Sequence, residues 1–380
     1  MPTDQEIASI GQEVEPLLRP VMPELDTLRG LAILMVILYH GLFWQVDLPN
    51  YQGVLRLFLT GMWAGRLGVN LFFVLSGFLI TGILIDSRGR SDYYRRFYVR
   101  RALRILPAYL VILAILAATR YAPISFILLS LVYLSNLTPL FGIPIAYPVL
   151  WSLAVEEHFY FLWPAVVRYT RNKILVIFCA AVIITTPVFR LMSYFIAAKS
   201  GLVSFVINDY TWNSLDGLAC GAMLSVVLRE YNLKRKTLLM VSLFLIGIAI
   251  VIEVGGIPLG IISRQRPLGM ALQVVPFHFA FTALLGISLL LGSSAWKAAV
   301  TSKSLQILGR ISYGLYLVHL LIFDFYNYIV VAFWKDGANT SHFFPLIVRL
   351  VVCAGASIGI AYSSREYFEE PFLRLKNRLS

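Results

Sequence analysis

This sequence predicts an all-α integral membrane fold, a bundle of about ten transmembrane helices, and three observations predict it. Of the 380 residues, 59% are hydrophobic and only 14% charged, too apolar a balance for an ordinary soluble domain. Mean hydropathy is +0.77. Apolar runs of bridging length recur at about 28–47, 67–86, 102–119, 149–168, 174–197, 210–228, 238–255, 273–292, 311–334 and 343–363.

Arginine and lysine decide how these runs thread the bilayer. Asp86–Arg104 carries seven arginines against two aspartates, the mark of a cytoplasmic loop. A further apolar stretch, at about 124–140, runs into Pro139, Pro144 and Pro148 and reads as broken backbone. If it crossed, the basic clusters Arg168–Lys173, Arg229–Lys236, Lys297–Arg310 and Arg365–Arg378 would all lie outside. If it does not, all four join the cytoplasmic side. The charge rule therefore selects ten spans, with 120–148 as an outer-side re-entrant segment. It also explains the net charge of +12 with no nucleic-acid partner. One transmembrane domain is expected at 28–365, between a cytoplasmic N-terminal segment, 1–27, and a cytoplasmic tail, 366–380. Cys179, Cys220 and Cys353 sit singly in apolar runs, as buried thiols do, and no metal-ligand spacing is visible.

In the first span the apolar run is broken by one strongly polar side chain, His40, and opened by Arg29. Residues eleven apart on a helix are rotated by roughly 20° beyond three turns, so the two share a face, about 16 Å apart along the axis. A packed histidine and a helix-end arginine would give the same pattern. In the second span, Asn70–Gly82, Ser76-Gly77 permits close helix approach. Arg95–Pro107 then sets Arg100, Arg101 and Arg104 close together where the chain re-enters the membrane. Fork-shaped guanidiniums at such a mouth suit a phosphate-rich ligand.

Trp151–Pro164 places Glu156, Glu157 and His158 consecutively in an apolar run. Three successive residues fan around a helix and cannot all face one cavity. Ser152, Glu156 and Tyr160 share a stripe, which makes Glu156 the cavity-facing acid. Buried carboxylates need partners, and a histidine or arginine is expected. His40, ascending, and Glu156, descending, come to nearly the same depth. Ile311–Phe323 adds Ser312, Tyr316 and His319 near one face, His319 as a supporting group. Arg190, Arg349, Asp216 and Asp324 are further in-span charges that must be paired.

In sequence order these residues resemble acyltransferase family 3 of membrane-bound O-acyltransferases. The resemblance rests on Arg29 and His40, FFVLSGFLI (Phe72–Ile80), Arg101-x-x-Arg104-x-x-Pro107, WSLxxEExFY (Trp151–Tyr160) and SYGLYLVH (Ser312–His319), with Glu370-Pro371 near the end. His158 departs from a common glutamine, and the stretch around Asp216 lacks an arginine often seen just before it. The resemblance implies a membrane O-acetyltransferase in a bacterial cytoplasmic membrane, with acetyl-CoA as donor and a carbohydrate or lipid-linked glycan as acceptor. His40 then becomes the base, oriented by Glu156, with Arg29, Arg101 and Arg104 on the CoA phosphates. Ser76, Trp151, Ser152, Glu157, His158, Tyr160, Tyr316 and His319 are supporting positions. A proton-coupled transporter or exchanger is the rival, since in-span Glu, His and Arg also mark relays; it predicts internal repeats, and none is visible.

Overall fold

A computed structural model describes residues 16–44, 46–199, 209–259, 266–294, 296–333 and 342–378, and every regular element among them is helical. The main helices are α1 Pro23–Leu42, α2 Gly68–Ser87, α3 Tyr93–Ala118, α4 Leu150–Tyr169, α5 Asn172–Lys199, α6 Leu215–Glu230, α7 Arg235–Gly256, α8 Val275–Gly292, α9 Lys303–Phe333 and α10 Phe343–Ser363. Each overlaps an expected span, although α3 and α9 begin nine and eight residues before the apolar runs they carry. The N-terminal segment is described only from residue 16 and the tail only to residue 378.

Eight helical stretches among the described residues are long and apolar enough to cross a membrane. They contain α1, α2, α3, α5, α7, α8, α9 and α10. The other two fall short for physical reasons. Helix α4 has 20 residues but carries Glu156, Glu157 and Arg168. Helix α6 has 16, about 24 Å of rise against a hydrocarbon core of roughly 30 Å.

Helix α1 starts at Pro23, five residues before the apolar run. Proline at the first turn gives up an N–H that has no helical partner there, and Glu24 and Asp26 lie at the positive end of the helix dipole. Arg29 therefore sits inside α1, not at its start.

Glycines set two of the helix crossings. A Cβ on Gly30 would strike the Leu305 carbonyl, and one on Gly309 the Asp26 carbonyl, so α1 and α9 touch backbone to backbone and run parallel. Gly77 against Leu218 and Gly221 against Val74 do the same for α2 and α6. Close approach at Ser76-Gly77 is thus realised by the glycine, and the serine is left for other work.

Polar contacts fix the two ends of the bundle. At the arginine-rich end, Arg229 holds Asp86 through two 2.8 Å contacts, and Asn172 bridges Arg88 and Glu230. At the other end, Tyr121 donates to Asp324 (2.5 Å) and Tyr147 to the Leu317 carbonyl (2.8 Å). Tyr121 and Tyr147 belong to 120–148, which holds an eight-residue helix, Ile124–Leu131, followed by 3₁₀ turns, Ser135–Phe141. Such a helix rises only about 12 Å and cannot span. The three cysteines are buried free thiols.

Candidate active site

Two cavities open inside the bundle and share Val69, Phe73 and Tyr316. The first, about 100 Å³, lies toward the arginine-rich end and is lined by Arg29, Arg101, Arg104, Glu156, Glu157 and Tyr160 among others. The second, about 220 Å³, faces the other end and includes His40, Trp44, Arg66, Trp151, Asp209 and His278.

In the first cavity the stripe expected on α4 is realised. Ser76 Oγ donates to Glu156 Oε1 (2.9 Å), Tyr160 OH donates to Oε2 (3.1 Å), and Ser152 Oγ is 2.6 Å from Tyr316 OH. Glu157 lines this cavity as well, because 100° of helical rotation is not enough to turn it away. His158 is turned away. Its Nδ1 lies 2.7 Å from Thr211 Oγ1, beside an apolar recess walled by Phe159, Leu162 and Trp163. The Arg101 guanidinium stacks over the Tyr160 ring at 4.6 Å. Arg29 pairs with Asp26 one turn away (3.0 Å), and Arg104 has no carboxylate partner among the described residues.

Behind the wall of the second cavity His40, which lines it, meets a second histidine, His319. Gly30 meets α9 near Gly309, and ten residues later, about 15 Å along both parallel helices, His40 faces His319, ring centroids 4.9 Å apart. His319 Nδ1 lies 2.8 Å from the Tyr316 carbonyl, and His40 Nδ1 lies 2.9 Å from the Val36 carbonyl. Carbonyl oxygens only accept, so each Nδ1 must carry the proton. His319 Nε2 is then a bare acceptor, 3.3 Å from His40 Nδ1. His40 Nε2 is left with its lone pair free. That is the configuration of a general base.

His40 and Glu156 do not meet. They line different cavities, each committed to other partners, with the Ser152–Tyr316 pair at the junction. Equal depth in a bundle does not mean adjacency, because depth fixes only the coordinate along the membrane normal. The contacts that His40 does make are to His319 and the Val36 carbonyl.

The in-span charges also find partners. Arg190 donates to Asp216, to the Asn213 carbonyl (2.7 Å) and to the Ala271 carbonyl (3.1 Å). Asp216 lies 3.1 Å from His278 Nδ1, and Asn70 reaches His278 Nε2 at 2.7 Å. A guanidinium from α5 thus serves Asp216, where the sequence offers no arginine just before it. Asp324 accepts from Tyr121, and Arg349 packs over the Phe323 ring at 5.0 Å. His278 and Asn70 are site-wall residues that local spacing did not reveal. Asp209 also reaches the second cavity, and burial pushes its carboxyl up to about 8.

A family model described as an acyltransferase domain matches residues 22–365. The chain belongs to this acyltransferase family. It is 26% identical over 388 aligned positions to the peptidoglycan O-acetyltransferase OatA of Listeria monocytogenes, across 93% of this chain and 56% of that protein. Against the O-acetyltransferase OatA of Staphylococcus aureus it is 28% identical over 348 positions, 80% of this chain and 51% of the other. A stretch of 168 positions, 38% of this chain, is 38% identical to the putative peptidoglycan O-acetyltransferase YrhL of Bacillus subtilis, 23% of which is covered. The chain spans about half the length of the OatA relatives or less of the others it matches. No solved structure matches it significantly. The matched acyltransferase region contains both cavities, whose lining runs from Arg29 to Leu320. Among the described residues no cluster of His, Cys, Asp and Glu could hold a metal ion.

Proposed function

We propose that this acyltransferase is a multi-pass O-acetyltransferase of a bacterial cytoplasmic membrane. It draws acetyl-CoA from the cytoplasm and delivers the acetyl group to a hydroxyl of a carbohydrate or lipid-linked glycan on the outer face. The observation that carries this reading is the pair of cavities, one walled by arginines and one lined by His40 with His319 behind it, that share Val69, Phe73 and Tyr316. The names of the two peptidoglycan O-acetyltransferases among the relatives favour a cell-wall glycan as acceptor. The positive-inside rule makes the arginine-rich end and both termini cytoplasmic, has α4 and α6 cross with the other eight, and leaves 120–148 capping the outer end.

On this reading Arg29, Arg101 and Arg104 hold phosphates, and the acyl arm runs past Glu156 and Tyr160 toward Tyr316. The acceptor hydroxyl attacks the thioester carbonyl while His40 Nε2 takes its proton. The C–S bond breaks and the thiolate leaves, receiving that proton from the imidazolium. Protonated His40 keeps its Nδ1–H on two acceptors, the Val36 carbonyl and His319 Nε2, which stabilises the cation. The Ser152–Tyr316 hydroxyls at the junction supply donors for the oxyanion. Glu156 acts as a positioning residue on the donor side, fixing Ser76 and Tyr160.

The test is acetyl transfer by purified protein in nanodiscs, from labelled acetyl-CoA to peptidoglycan fragments. Label on the glycan that mild base releases supports the reading. Failure to consume acetyl-CoA with any glycan would overturn it.

A further inference from the structure

The second cavity holds a cation that no carboxylate answers. Arg66 sits in a short 3₁₀ turn, Met62–Leu67, that leads directly into α2. Its Nη2 donates to Gln273 Oε1 (3.3 Å), and its guanidinium lies over the Trp63 ring, 4.1 Å from the centroid. Its Nε is buried and finds no acceptor among the described residues. No carboxylate among them forms an ion pair with Arg66.

The other ionisable groups of this wall are already committed. Arg190 is matched by Asp216, and His278 lies between Asp216 and Asn70. Asp209 lines the cavity but forms no ion pair with Arg66, and burial pushes its carboxyl up to about 8, so it stays protonated at neutral pH. A half-buried guanidinium in a membrane bundle is costly when unpaired, and such a group marks a functional site. Stacked on Trp63 and tied to Gln273, Arg66 is held in place with its Nε–H edge unused. That edge fits an oxyanion of the same planar shape.

One unmatched positive charge calls for one negative charge. A carboxylate supplies it with two coplanar oxygens, whereas a diphosphate link brings more charge than Arg66 alone can answer. His40 lines the same cavity of about 220 Å³, together with the indoles of Trp44 and Trp151. In so small a space the anion and the reacting hydroxyl must belong to one compact unit, and aromatic walls with a few fixed polar groups suit a sugar ring. We infer that the acceptor is an acidic sugar, its carboxylate held by Arg66 while one of its hydroxyls meets His40 Nε2. This rests on the reading of the second cavity as the acceptor site and deepens it by naming the acceptor's chemical class.

The experiment measures kcat/KM for acetyl transfer by the full chain in nanodiscs, from acetyl-CoA to sugar acids and their methyl esters. Glucuronate, galacturonate and N-acetylmuramate form the matched pairs, since each ester keeps every hydroxyl and loses only the charge. The wild type prefers at least one acid to its ester by roughly 10-fold or more. Arg66→Gln loses that preference through the acid alone, and its unchanged transfer to the ester shows that it is folded. Arg66→Lys keeps the charge without the fork and retains part of the preference. Arg56→Gln, exposed on the helix that precedes the turn, changes neither. Equal use of acid and ester by the wild type in every pair overturns the inference, as does an equal loss for both in Arg66→Gln. If sugar phosphates outdo every acid and Arg66→Gln abolishes that advantage, Arg66 is a phosphate subsite and the carboxylate assignment falls. If acetyl-CoA is consumed with no glycan at all, the acetyltransferase reading itself fails and takes this inference with it.

Discussion

His319 Nε2 stands 3.3 Å from His40 Nδ1, and both rings are held in register by glycines that touch near Gly30 and Gly309, ten residues earlier. On the proposed mechanism His319 acts as a positioning residue that accepts from His40 and does not touch substrate. His319→Phe preserves the packing but removes the acceptor. It should lower kcat by roughly 10- to 150-fold, the worth of one hydrogen bond to a charged group, with the donor KM little changed. His319→Gln, whose side-chain oxygen can accept, should recover part of the loss. An unchanged kcat in His319→Phe would leave His319 a packing residue.

Arg101 and Arg104 face the first cavity, the proposed donor site, with Arg104 also bordering two neighbouring cavities. Arg101→Ala and Arg104→Ala should each raise the apparent KM for acetyl-CoA by roughly 10- to 150-fold, from about 1.5–3 kcal/mol per lost contact to phosphate. The acceptor KM should move far less. Equal effects on both substrates would reduce the two arginines to anchors at the membrane surface.

Features set along a single helix were legible in the sequence. Helix positions followed from apolar length, and the shared face of Arg29 and His40 and the stripe Ser152–Glu156–Tyr160 followed from 3.6-residue periodicity. What joins distant helices was not legible. Asp216, Arg190, His278 and Asn70 come from α6, α5, α8 and α2, and their meeting depends on which helices are neighbours. His278 stands alone in an apolar run and carries no periodic signal. Glu156 and His40 stay apart for the same reason, since insertion depth fixes one coordinate of three. Of the ten expected spans, α4 and α6 fall outside the apolar-length criterion, α4 because it carries Glu156 and Glu157 and α6 because it has only 16 residues.

Asp209 gives a pH dependence of definite sign. Burial raises its folded-state pKa to about 8, against about 3.9 in an unfolded chain. Between these values the unfolded state ionises while the folded state keeps its proton, so this group costs stability progressively as pH rises from about 4 to 8. Asp209→Asn removes the cost. The variant should melt at the same temperature as wild type near pH 4 and above it at pH 8.5, with the gap opening in between. A gap independent of pH would mean that Asp209 does not titrate in this window.

The Arg190–Asp216 pair is almost wholly buried, with side-chain exposures of 1% and 2%. Removing one partner strands the other, at a cost of about 3–5 kcal/mol. Asp216→Leu and Arg190→Met should each reduce the yield of folded protein. The double variant should be less damaged than the sum of the two, because neither charge is then left alone. Additive losses would show that the pair is not a unit.

The sharpest expectation separates His40 from Glu156. If His40 is the base, His40→Gln should insert, bind donor and lose about 10²–10⁴-fold in transfer rate. Glu156 is tied to Ser76 and Tyr160 in the other cavity, so Glu156→Gln should act on donor use. Residues working as one catalytic unit are strongly non-additive, and a double variant is then scarcely worse than either single. Groups without a shared partner combine independently. His40 and Glu156 share none, so the double variant should lose close to the product of the two single effects. A double variant no worse than His40→Gln would restore a direct coupling that the structure does not contain. Substantial transfer by well-folded His40→Gln would remove His40 as the base and leave the family membership untouched.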